Sequence, residues 1–498
     1  MPPLRFRPFR TSSLPGDKRE PTHWLKRPDA LILYMLSCAL AQHCFGQVES
    51  APKDGQGTAW AFLASTWSNG GYREKARVLE GLAGVRSSRA TAIYREALGG
   101  NDPLIAGRAA ALAEKDRVTE LLPEITHRLI SEDNQYARIQ LLVSVGRLGT
   151  ETAAHLVLPS ALEETQPVTG VAFGILKDLG AAAAPALSTV LEKSCPICRE
   201  SAAYLFLENE KLPDGGALRQ ALNDQSSRVR SLAASALMER GDRTGADILR
   251  TAQHGADVEM RVRASISLYN EGDVQSQDLL LNDISKASLE FRTFAVREVI
   301  RRTGPRLGDM VITMAKQDRL WSVRNAALDG LSARAGDIQR IAGFLSDTEP
   351  SVRLFAATLL LKAGSRDRAD PILRSEWSHA SVGQKANILS ALSESGVSTS
   401  IEQDLVDAAL TENDTSVRAA AINVARNSGA MFSKLLPMLN TSDLSLTASV
   451  ASALVTISPA GAATALDADY SSAKGEAAIL RAGYFIRARE ALQERAPQ

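Results

Sequence analysis

Two cysteines separated by two residues, Cys195-Pro196-Ile197-Cys198, are the one group in this 498-residue chain whose types and spacing match a known chemistry. A CxxC pair at a helix start can cycle between dithiol and disulfide, because the positive end of the helix dipole lowers the thiol pKa. The pair directly precedes Arg199, where a helix is expected to begin. Three other observations weigh on it. Nothing around it has the strand–helix–strand pattern in which redox CxxC motifs sit. A structural zinc site needs four ligands, and the chain has no second CxxC and no His pair at ligand spacing. Haem attachment would need His where Arg199 stands. The plainest reading of Cys195 and Cys198 is a local disulfide, or two buried thiols stiffening one segment, with a thiol-dependent activity as the alternative.

Other residues offer less. Six histidines (His23, His43, His127, His155, His254, His379) are scattered, and no HExxH, P-loop, GxSxG or dinucleotide glycine fingerprint occurs. Ser471-Ser472-Ala473-Lys474 has the S-x-x-K spacing without its supporting motifs and reads as a surface turn. No catalytic residue, metal ligand set or cofactor is called for, so the chain is expected not to be an enzyme. Trp321 and Trp377 fall at connectors, where aromatic side chains serve as partner anchors or pack on the neighbouring segment.

One phrase recurs along the chain: an acidic residue, a few polar residues, Val-Arg, an apolar stretch, then Gly. It is clear in Asp224…Val229-Arg230…Gly241, Asp257…Val262-Arg263…Gly272 and Asp318…Val323-Arg324…Gly336. It returns in Asp347…Val352-Arg353…Gly364 and Asp414…Val417-Arg418…Gly429. With the Arg as register mark, thirteen marks run from Arg73 to Thr447 at steps of 29 to 35 residues, and Thr169, Lys385 and Thr447 stand where Arg is missing. A Gly follows eleven residues later in seven units: Gly84, Gly149, Gly180, Gly241, Gly364, Gly396 and Gly429.

Small or apolar residues recur three positions after the mark (Ala233, Ala327, Ala356, Ala421) and seven after it (Leu237, Leu331, Leu360). With the Val before the mark, that is one face of a helix, with Ala at the middle contact letting helices approach to ~8–10 Å. Gly ends the helix by accepting a left-handed conformation. Before each acidic residue there is room for a second helix, as in Ala246–Gln253, Gln277–Ser285, Leu307–Lys316 and Asp337–Ser346. Each unit is then helix A, a tight turn and helix B, a hairpin that cannot cover its own apolar face until others stack on it.

These residues resemble the HEAT family, in its short PBS-lyase HEAT-like form, over about residues 57–480. The resemblance implies an all-α fold, an alpha-alpha superhelix or HEAT-like solenoid of about thirteen helical hairpins, right-handed and ~100 Å long at ~10 Å per layer. It implies an Asp/Arg ladder between adjacent units, carried here by Asp102/Arg108, Asp224/Arg230, Asp257/Arg263, Asp318/Arg324 and Asp347/Arg353 at a constant six-residue offset. Each guanidinium is expected to be met by a carboxylate of its own or the preceding turn. The family's role as scaffolds and adaptors implies protein partners held on the concave face. Members that act on bilins or excise DNA bases supply an enzymatic alternative.

Composition bears on that choice. Lys plus Arg and Asp plus Glu both number 57, so net charge is zero and gives no reason to expect nucleic acid. Residues 1–29 are rich in Arg and Lys, and Ala30–Ala41 is a short apolar run followed by small residues. This is the grammar of a secretory signal, with cleavage after Ala41 or Gly46, and twelve residues are too few to span ~30 Å of hydrocarbon. Lipidation at Cys38 is a further option; a cytoplasmic protein with a disordered tail is the alternative. The expected partition is a signal or disordered segment over 1–46, an entry segment and first helix over 47–72, the repeat array over 73–462, and capping helices with a tail over 463–498. The mature chain is expected to have no membrane span and to work in a periplasm-like space.

Overall fold

The computed structural model describes residues 55–495, apart from 150–151, 163–166, 194, 215, 333–336 and 396–399. The expected signal, Cys38 and Cys44, and the repeat glycines Gly336 and Gly396 lie outside the described residues. The helical unit runs Val48–Gln498. No strand occurs among the described residues, which form fourteen helical hairpins.

The first helices of the hairpins are α1 (Gly55–Asn69), α3 (Ser88–Gly99), α5 (Leu122–Ser131), α7 (Ala153–Leu162), α9 (Ala184–Lys193), α11 (Ala217–Ala221) and α13 (Ala246–Ala252). They continue as α15 (Gln275–Lys286), α17 (Pro305–Gln317), α19 (Ile338–Ala342), α21 (Arg366–Glu376), α23 (Ser400–Leu410), α25 (Phe432–Leu435) and α27 (Pro459–Ser472). The second, or B, helices are α2 (Tyr72–Gly81), α4 (Pro103–Lys115), α6 (Gln135–Leu148), α8 (Val168–Leu179), α10 (Pro196–Glu208), α12 (Ser227–Glu239) and α14 (Val258–Asn270). Their series ends with α16 (Leu289–Arg302), α18 (Trp321–Ser332), α20 (Pro350–Lys362), α22 (Val382–Ser395), α24 (Thr415–Ala425), α26 (Leu444–Ile457) and α28 (Glu476–Arg495).

Local chemistry sets the ends of the B helices. Asp102, Asn134, Ser226, Asp257, Asp414 and Asp443 each accept a hydrogen bond from a first-turn N–H, satisfying donors the helix itself cannot. At the other end of α12, Gly241 has φ +78°, with its N–H donating to Met238 O and that of Asp242 to Leu237 O, both at 2.9 Å. Gly364 repeats the turn after α20 at the same φ, and only glycine enters that region without steric cost. Between the caps, Val229, Ala233 and Leu237 are buried on α12, as are Val352, Ala356 and Leu360 on α20. They are the stripe that the repeat phrase marks out.

Residues Val168–Glu192 are long and apolar enough to cross a membrane by length and composition. They are not one helix: Gly180, at φ +57°, breaks them into α8, a 3₁₀ turn and α9. Neither piece approaches the ~20 residues a span needs.

Each B helix packs on the next, and the last packs on the first. The architecture is an all-α HEAT-like solenoid, but the expected open stack with two capped ends is not what forms. The segment expected to cap the array, 463–498, lies as far as Arg495 in a fourteenth hairpin that seals against hairpin one. A Cβ on Gly483 of α28 would lie 2.4 Å from the backbone carbon of Gly81 on α2, so the two backbones cross in direct contact. Glu476 accepts from Arg77 at 2.7 Å, Glu490 accepts from the Arg86 N–H at 3.1 Å, and Arg487 donates to Ala83 O at 3.3 Å. Ile479, Leu480, Phe485 and Ile486 are buried along α28. An end that buries this much apolar surface in the first hairpin is closed by the same force that stacks the interior.

Candidate functional site

The ladder joins the first turns of neighbouring B helices, though not through the pairs the spacing suggests. Arg324 Nε and Nη2 donate to the two carboxylate oxygens of Asp347, in the next hairpin, at 2.7 and 2.9 Å. Its Nη1 donates to the backbone carbonyl of its own Asp318 at 2.8 Å. Arg353 likewise takes the carbonyl of Asp347 at 2.8 Å and reaches forward to Glu376. Arg230 donates to the carbonyl of Asp224 at 2.6 Å, while the Asp224 carboxylate accepts from Arg199 of the preceding hairpin at 2.6 and 3.1 Å. The six-residue offset therefore joins guanidinium to backbone, and the carboxylate link runs forward to the following hairpin. The reason is local: the Asp347 carboxylate folds back onto the Glu349 N–H of its own turn at 2.9 Å and shows its remaining lone pairs to the hairpin behind.

Asp257/Arg263 departs further. Asp257 caps α14 and accepts from Arg228. The ladder position in this hairpin belongs to Arg261, which donates to Gly255 O at 2.9 Å and to Asp283 at 3.2 Å. Arg261 is the fourth residue of α14, as Arg324 is of α18 and Arg353 of α20. Arg108 sits at the sixth position of α4, as Arg263 does in α14, while Asp102 caps α4 through Leu104 and Ile105 N–H. Lys385 keeps the register of α22 by bonding Glu412.

Two residues beyond the ladder, Arg263 is turned to the other side of α14 and buried. Its guanidinium lies 4.8 Å from the ring centre of Tyr204 on α10 and 5.1 Å from that of Phe294 on α16. It donates to Glu298 at 3.2 Å and to Glu259 at 3.3 Å. Glu298 also takes Arg301 at 2.8 Å and Arg302 at 3.1 Å. Arg301 makes two 2.7 Å bonds to Glu208 at the end of α10. Arg302 bonds Glu208 as well, and Glu239 at the end of α12 at 2.8 Å, and its carbonyl accepts from Asn270 at the end of α14 at 3.0 Å. Four consecutive B helices thus converge on one point, which puts the B row on the inside of the bend. A cavity of about 400 Å³ opens beside it, lined by Glu208, Asn209, Glu210, Lys211, Glu239 and Arg302 among others.

Electrostatics decide what this cluster can do. Burial pushes the Glu298 carboxyl up, but Arg263, Arg301 and Arg302 more than reverse it and hold it at about 2. Glu208 is treated the same way by Arg301 and Arg302 and lies well below the usual carboxylate range. Glu239 goes the other way, raised by burial that outweighs Arg302. Glu298 and Glu208 stay ionised at neutral pH, so neither can give a proton to a substrate. The arrangement is a clamp that fixes curvature, joining hairpins three apart where a plain solenoid joins only neighbours.

The opposite ends of the B helices carry a different feature. Eleven large apolar side chains are exposed among the described residues, and seven of them lie in the first three positions of B helices: Tyr72, Leu104, Ile197, Leu289, Phe291, Trp321 and Val382. All seven sit at the same end, or rim, of the B row, on hairpins one, two, five, eight, nine and eleven, and on the neighbours α16 and α18 the first turns are joined by Arg292, which donates to Asp318 at 2.7 Å. Trp321, a candidate anchor, is on this rim. Trp377, the other, is buried, with Lys385 Nζ 5.5 Å from its ring centre, and cannot meet a partner. Cys195 and Cys198 are joined by a disulfide across the first turn of α10, on the same rim. Ser471–Lys474 straddles the end of α27, and the described residues hold no group of three or more His, Cys, Asp or Glu side chains placed to bind a metal.

The sequence reading missed Arg261, the clamp and the rim. A signal for the first existed: taking Arg261 instead of Arg263 makes the steps from Arg230 and to Arg292 both 31 residues, where Arg263 makes them 33 and 29.

No family model and no curated protein matches the chain. Among solved structures it is similar to importin beta crystallised in ammonium sulfate, at 13% identity and TM-score 0.35 over 88% of this chain and 69% of that one. It is similar to the karyopherin Kap121p bound to the extreme C-terminus of the protein phosphatase Cdc14p, at 13% identity and TM-score 0.36 over 88% and 56%. A Kap95p structure matches at 13% identity and TM-score 0.35 over 89% and 65%. Likenesses this distant carry nothing about activity or partners, and the solenoid stands on the chain's own hairpins.

Proposed function

We propose that this chain is a non-catalytic scaffold that binds a protein partner on the concave, B-helix side, at the rim formed by the first turns. The observation that carries this reading is the collection of exposed apolar side chains on that rim. Single exposed apolar residues are ordinary, but Leu289, Phe291 and Trp321 fall on neighbouring first turns joined by Arg292 and Asp318, and an apolar cluster of that kind marks an interaction surface. Trp321 and Phe291, on the neighbouring helices α18 and α16, are the expected anchors, since aromatic residues dominate interface energetics.

A photo-crosslinking amino acid placed at 291 or 321, in cells, tests this against the same group at Ile130 or Val274, which are exposed on the outer helices. Adducts to one protein from the rim positions and none from the outer pair are expected. Equal labelling from both sets would contradict the proposal.

The basic segment and the apolar run Ala30–Ala41 support export to an extracytoplasmic space. The expected mature N-terminus follows Ala41 or Gly46. Recovery of uncleaved chain from the cytoplasm would overturn that part alone.

A further inference from the structure

Seven described B helices place an oxygen at the N-cap: Asp102, Asn134, Ser226, Asp257, Ser381, Asp414 and Asp443. Three residues on, six of the seven carry an apolar residue, Ile105, Ala137, Val229, Met260, Val417 and Leu446, and Ser381 is followed by Gln384. In the fifth hairpin Cys195 takes the cap position and Cys198 the apolar one. The Cys195 Sγ accepts the Cys198 N–H at 3.2 Å, doing the work an oxygen does elsewhere. Sulfur is a weak acceptor, and the repeat builds this turn seven times without it. Nor does covalent stapling supply the reason. The bond spans a sequence separation of 3, so it closes the kind of short loop from which chain entropy gains least. The cap chemistry asks for neither cysteine, whereas thiol exchange asks for both.

We propose that the Cys195–Cys198 disulfide is an exchange site that accepts electrons from a dithiol on a protein partner, with Cys195 the sulfur attacked. The two sulfurs differ in access. Cys198 is 1% exposed, while Cys195 is half-buried and is followed by exposed Pro196 and Ile197. A thiolate of the partner attacks Cys195 Sγ, the S–S bond breaks, and its electron pair leaves on Cys198, which takes up a proton. The partner's second thiolate then attacks its own sulfur in the mixed disulfide and expels Cys195. The partner ends as a disulfide and the chain as a dithiol, with one proton on Cys198 and the other released to solvent. The departing Cys195 thiolate sits at the N-terminus of α10, where the Cys198 N–H and the helix dipole favour negative charge. Ile197 and Pro196 give the partner an apolar surface beside the reacting sulfur.

This inference is independent of the scaffold reading. It is tested on the full-length chain with dithiothreitol as the probe, followed by iodoacetamide and peptide mapping that separates Cys195 and Cys198 from Cys38 and Cys44. The expected result is alkylation of both Cys195 and Cys198 with the helical circular dichroism unchanged. In C198S the Cys195 thiol should form a mixed disulfide with oxidised glutathione on the folded chain, located by the same peptide mapping. A double variant, Cys195→Asp with Cys198→Ile, rebuilds the cap used by the other hairpins and should keep the melting temperature while losing exchange. Reduction only on unfolding, or no mixed disulfide at Cys195 in folded C198S, would make the bond a structural staple and overturn the proposal.

Discussion

Glu298 shows how much one side chain holds in this protein. It is 2% exposed and meets four guanidiniums, those of Arg297, Arg301 and Arg302 on its own helix and of Arg263 on α14. Removing one partner from a buried charge network leaves the others uncompensated, so Glu298→Gln should cost about 3–5 kcal/mol. The exposed pair Arg95–Glu124 gives the contrast, since solvent screens it and breaking it should barely move stability. Urea midpoints of the two variants check the difference. The pH dependence has a definite sign. A carboxyl held at about 2, against 4.5 when free, stabilises the fold fully above about 4.5 and loses that contribution as pH falls toward 2. The stability gap between wild type and Glu298→Gln should therefore be constant from neutral pH to about 4.5 and close toward pH 2. At this scale the sequence was only partly legible. Arg263 carries the same Val-Arg signature as Arg230, and nothing in the phrase tells a ladder guanidinium from one turned to the other side of the helix. That distinction depends on where the helix begins, a matter of two residues.

At the level of elements the phrase was far more informative, because caps and stripes are local. The segment Leu307–Lys316 reads as helix A of its hairpin and is found within α17, and Gln277–Ser285 is found within α15. Asp337–Ser346 is the exception: its periodicity suggests a full helix, but α19 ends at Ala342 and turns follow. The C-cap glycines allow a quantitative prediction. Gly241 holds φ +78° with open space around its Cβ position, so Gly241→Ala should cost only the left-handed backbone term, roughly 1–2 kcal/mol. The ladder predicts a larger effect. Asp347→Ala removes both the carboxylate under buried Arg324 and the turn bond to Glu349, and should destabilise by about 3 kcal/mol or more. Trp321→Ala, at an exposed position, should change stability by no more than about 1 kcal/mol while weakening partner crosslinking. Thermal melts of the three variants rank these outcomes.

The whole molecule is where sequence reading ran out. A periodic phrase declares that hairpins stack, but it has no term for where the stack stops, and a contact between Gly81 and Gly483 leaves no periodic trace. Closure depends on summed curvature, part of it set by the clamp at Arg302, whose partners come from α10, α12 and α16. Gly483→Ala should act at the seam alone: with a Cβ forced to 2.4 Å from the Gly81 backbone, amide exchange should rise in α1, α2 and α28 and stay unchanged in α12 to α16. The central claim, that the B row closes on itself, is tested most directly by the distance between spin labels on genetically encoded amino acids at positions 86 and 490, measured by pulsed dipolar spectroscopy. These positions touch across the seam at 3.1 Å, so one narrow, short distance is predicted. A broad distribution, or a separation nearing the ~100 Å of an open stack at ~10 Å per layer, would contradict the account.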